Sequence, residues 1–194
     1  DTVDPATGIE SEILGYDLDS ADDGLEQMET LCQQIAQQRV QRVERLLCRV
    51  QRAYSEGEIE ELNRVDARFR WQEQPQLPLS LPALLSAKLG RAVSQSEAPA
   101  LARGVSLMLP DFVKFLLAGG YVGPSTANVR ALRRAFFEPG RPLAEDYPRL
   151  SPQQAIAAVH RAGGQAVLAH PGLVRGVSQP WQPAQSPEGV LPFE

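Results

Sequence analysis

Between Asp22 and Tyr54 the apolar residues Leu25, Met28, Cys32, Ile35, Val43, Leu46, Val50 and Tyr54 recur at steps of three, four or multiples of these. That period belongs to an α-helix with one buried face, and it predicts a single long amphipathic helix over 22–54. Arg39, Arg42, Arg45, Arg49 and Arg52 fall on the opposite side. Such a row suits phosphate backbones or an acidic partner. It equally suits a solvated face, which a one-sided helix needs in any case, and the pattern favours this second reading.

A different pattern runs from Leu150 to Arg175. Ser151 is a good N-cap, Pro152 suits the first helical position, and Gln154 stands where a capping box wants its amide. Ala155, Ile156, Val159 and Ala162 then share a helical face, and Gly163-Gly164 stops the helix. Ala166 to Ala169 is an uninterrupted apolar run, predicting a strand buried on both faces that ends at His170-Pro171. Helix, glycine link, buried strand and a polar strand end make one unit of an α/β barrel or a doubly wound sheet, where chemistry collects at the C-terminal strand ends.

The remaining segments are shorter. Ile13, Leu14 and Tyr16 suggest a strand, and Ile59, Leu62, Val65 and Phe69 one more helix within the polar stretch 56–76. Pro82 to Leu89 reads as a helix capped by Ser80 and closed by Gly90, and 95–104 as loop with a helical turn. A helix begins at Pro110 with Phe112, Val113, Phe115 and Leu116 inward, and another spans Ser125 to Phe137. After Gly176 the proline-rich tail shows no period and is expected to be loosely ordered.

Composition narrows the class. A chain of 194 residues, 43% hydrophobic and 22% charged, is long enough for a self-sufficient core. No stretch of about 18 apolar residues occurs, so no membrane span is expected. The net charge of -5 argues against broad nucleic-acid binding, though not against a nucleotide held locally. Cys32 and Cys48, on one helix, stand roughly 24 Å apart, whereas a disulfide needs Cα atoms within about 7 Å. Reduced, buried thiols and a cytoplasmic setting follow as the default. The chain opens on Asp1 rather than methionine, as a processed or truncated start would.

Three motifs in order carry a resemblance. The glycine pair leading through the apolar strand into Ala169-His170-Pro171-Gly172 resembles the polymerase and histidinol phosphatase (PHP) family of metal-dependent phosphoesterases. Gly8-Ile9-Glu10 is similar to that family's glycine-aliphatic-glutamate strand end, and Ile13-Leu14-Gly15-Tyr16-Asp17 to its Ile-Leu-Gly-Tyr strand. Leu109 to Tyr121 resembles its inserted helical domain, with the same Gly-Tyr-Val exit. The resemblance spans residues 8–175. It implies a helix-rich α/β fold: a partial PHP-type (β/α) barrel formed by 1–21 and 148–176, a helical part and insertion over 22–147, and a proline-rich tail over 177–194.

The same resemblance implies a hydrolase acting on a nucleotide or short oligonucleotide with a divalent metal: manganese, iron, zinc or magnesium. Such ions polarise phosphoryl oxygens and supply hydroxide from bound water. Glu10 and His170 fall on family metal positions, and Glu12 stands where the family has histidine. Asp111 occupies the place of a substrate-facing histidine, and Arg175 is a candidate phosphate contact. Each has a plainer role as well: a backbone-bonded histidine, solvated glutamates, a first-turn helix carboxylate, a surface arginine. The family's opening His-x-His and its later Asp-x-His have no counterpart, since His160 and His170 are the only histidines. The alternative is therefore a non-catalytic PHP-like or helical interaction module that has lost most metal ligands.

Overall fold

A computed structural model describes residues 2–3, 6, 10–18, 23–73, 75, 77–123, 128–145 and 149–169. In chain order these form β1 (Thr2–Val3), β2 (Glu10–Tyr16), α1 (Asp23–Ser55), α2 (Ile59–Val65), β3 (Arg70–Trp71) and α3 (Leu81–Leu89). There follow α4 (Ala98–Gly104), α5 (Leu109–Ala118), β4 (Val122–Gly123), α6 (Val129–Phe136), α7 (Pro152–Arg161) and β5 (Gln165–Ala169). The chain divides into two compact units, one of residues 1–31 and 149–194, the other of 32–148.

Local chemistry sets several helix ends. At α7 the Ser151 hydroxyl accepts from the Gln154 N–H at 3.1 Å and the Gln154 side chain accepts from the Ser151 N–H at 2.8 Å, the full capping box. Ser80 caps α3, and Gly90 closes it in the left-handed region at φ 66°. Asn128 caps α6 through the Arg130 and Ala131 N–H groups. Residues 124–127, where that helix was expected to begin, lie outside the described residues. The stretch 95–104 holds a true helix, α4, rather than a loop. α2 ends at Val65 because the Asp66 carboxylate accepts from the Arg68 N–H at 3.0 Å and turns the chain. Phe69 therefore enters the core from a turn and not from the helix that its spacing suggested.

The second unit is a helical cluster around an aromatic centre. Phe136 meets Trp71 edge-on at 5.4 Å and Phe69 at 6.0 Å, and Phe112 meets Phe137 at 5.7 Å. From α1 come Val40, Val43, Leu46, Leu47, Val50 and Ala53, all buried. A two-residue antiparallel ladder pairs Trp71 with Val122 and Arg70 with Gly123. Asn63 holds Trp71 by both its backbone N–H and its carbonyl.

In the first unit β1, β2 and β5 form an antiparallel sheet in that order. This overturns the expected α/β architecture with part of a parallel PHP-type barrel. Among the described residues both sheets are small and antiparallel, and the one parallel bridge is an isolated pair, Thr2 with Leu150. The physical reason lies in what a hydrophobic pattern encodes. It reports burial, while the direction of pairing depends on the partner strand. β5 accordingly lies at the sheet edge and is not buried on both faces: Val167 is 44% and Leu168 42% exposed.

α7 covers one side of that sheet, and glycines make the fit possible. A Cβ at Gly15 would stand 3.1 Å from Val159 of α7. A Cβ at Gly24, in the first turn of α1, would lie 1.8 Å from the Arg161 carbonyl oxygen, a distance at which backbone must move. Both cysteines are exposed, which corrects the expectation of buried thiols. At the first of them Leu31, half-buried, takes the inward position beside Met28 and Ile35 that the pattern gave to Cys32.

Candidate functional site

The predicted metal positions belong to the first unit. β2 runs against β5 with Glu12 opposite Ala169, Ile13 opposite Leu168 and Tyr16 opposite Gln165. The N-terminal end of β2, which contains Glu10 and Glu12, is thus paired with the C-terminal end of β5. Glu10 pairs with Val3 of β1 on the other side. The Glu12 side chain is exposed. His170, the next residue in sequence after β5, lies outside the described residues, as does Arg175. Among the described residues no three of His, Cys, Asp and Glu stand together as metal ligands would.

Asp111 belongs to the second unit, and its surroundings are fully drawn. Lys88 Nζ donates to its carboxylate at 2.6 Å and to the Ser106 carbonyl at 2.9 Å. The same carboxylate oxygen accepts from the Met108 N–H at 3.0 Å, closing the N-terminal end of α5. The group is half-buried, matched by a cation and engaged with backbone. These are the attributes of a first-turn helix carboxylate. Sequence reasoning missed Lys88, although the scarcity of lysine in this chain was a signal.

The arginine row of α1 keeps the solvated character that its pattern predicts, with Arg45, Arg49 and Arg52 exposed, and it also makes tertiary pairings. Arg39 donates to the Ser106 hydroxyl at 3.0 Å, while Arg45 and Arg49 both face Glu145 at 3.3 and 3.7 Å. Arg49 also donates to the Pro142 carbonyl. Arg52 pairs with Glu56 one turn on. Through Arg39, Arg45 and Arg49 the row also fastens segments 142–145 and 106 to α1.

The strongest electrostatic perturbations in the second unit are structural as well. Burial pushes the Tyr54 hydroxyl well above the ordinary tyrosine value and raises that of Tyr121. Tyr54 donates to the Gln72 carbonyl at 2.8 Å and Tyr121 to that of Leu77, so both work as protonated donors that hold the 72–77 segment. The hydrogen-bonded Arg68 guanidinium holds the Asp66 carboxyl down at about 2. None of these groups is poised as a base near neutral pH.

No protein-family model matches the chain, and no curated protein compared with it is similar.

Proposed function

We propose that the chain hydrolyses phosphoesters of a nucleotide or short oligonucleotide, aided by a divalent cation held by Glu10, Glu12 and His170. The observation that carries this reading is the β2–β5 register. Pairing of Glu12 with Ala169 joins the strand end that supplies both glutamates to the strand that leads directly into His170. Two carboxylates and an imidazole suit manganese, iron or zinc, and the carboxylates alone suit magnesium. A bound ion supplies Lewis acidity and a water ionisable near neutral pH. For their part the strands fix backbone positions, and Glu12 offers a solvent-accessible carboxylate on a hydrogen-bonded ladder. Asp111 has no part in this proposal, because Lys88 and the Met108 N–H already occupy its carboxylate.

A helical interaction module is the second reading. The engagement of Asp111 and the aromatic core of the second unit favour it.

The test is metal content by inductively coupled plasma mass spectrometry on protein purified without added metal and again after manganese loading and desalting. The expected result is about one ion per chain in the wild type, lost in both Glu12→Ala and His170→Ala. Wild type that retains no ion under either condition overturns the hydrolase reading and leaves the helical module.

A further inference from the structure

We draw no further inference here: the strongest candidate, the outer edge of β5 with Val167 and Leu168 open to solvent, is an unpartnered apolar edge, and nothing among the described residues shows what covers it.

Discussion

In the second unit Phe136 packs edge-on against Phe69 and Trp71, and none of the three is more than 5% exposed. In the first, the most apolar strand leaves Val167 and Leu168 more than two-fifths open. Val167 and Leu168 are as apolar as the residues that fill the aromatic centre, so hydrophobicity alone does not account for the contrast. Helices can surround an aromatic cluster from several directions, whereas among the described residues the small sheet of the first unit is backed by α7 on one side. Charge follows the same division. Residues 1–31 carry no lysine or arginine, while the arginine row of α1 lies wholly within the second unit.

Removing a core aromatic presses hardest on this contrast. Phe136→Ala should cost about 3–5 kcal/mol by denaturant unfolding, and Val167→Ala less than about 1 kcal/mol, because a half-exposed side chain leaves no sealed cavity. Equal losses would show that β5 is as well buried as the aromatic centre. Next comes Gly24→Ala. The new Cβ meets the Arg161 carbonyl, and the expected loss of about 1–3 kcal/mol should appear as faster amide exchange in α7 and β5 while the amides around Trp71 hold their protection. Unchanged exchange in α7 would mean that the first turn of α1 does not rest there.

Smaller effects sharpen the electrostatic side. Asp111→Ala removes both an ion pair and a helix-end acceptor and should cost about 1 kcal/mol. Asp111→Asn keeps the acceptor and should recover part of that. A substrate-binding role would instead predict little change in stability for either variant. The smallest expected effect is a titration. The Asp66 carboxyl, lowered from 3.8 to about 2 by Arg68, stabilises the fold in full above pH 3.8 and loses that contribution as pH falls toward 2. Carbon-detected NMR should place its midpoint near 2 in the wild type, and Arg68→Gln should raise it toward 3.8. A wild-type midpoint already at 3.8 would show that the pair does not form in solution.

How much of this was legible in the sequence depended on range. The ends of α7 could be read residue by residue, because Ser151, Pro152 and Gln154 act on their own neighbours. The length of α1 was legible from its period, and the start of α5 from Pro110. Phe69 deceived because Asp66 broke the helix that its spacing implied. β5 deceived for a longer-range reason: Ala166 to Ala169 suits a buried strand or an apolar edge equally well, and only the partner β2 decides between them. Of the candidate site, the sequence supplied Glu10, Glu12 and His170; the ladder pairs the strand of the two glutamates with β5, and His170 lies outside the described residues. Asp111 was read through its resemblance to a substrate-facing position. Lys88, a partner twenty-three residues away, gives it a plainer job.

The β2–β5 ladder also has a consequence for the order of events during synthesis. Its two strands are separated by about 150 residues, which places the closure of this loop among the slow, entropy-limited steps of folding. The second unit is continuous in sequence and can complete itself once residue 148 has left the ribosome. Until Gln165 to Ala169 follow, β2 has no partner on that side. β2 can pair with β1 almost as soon as both are made, yet its other side is among the last to be paired.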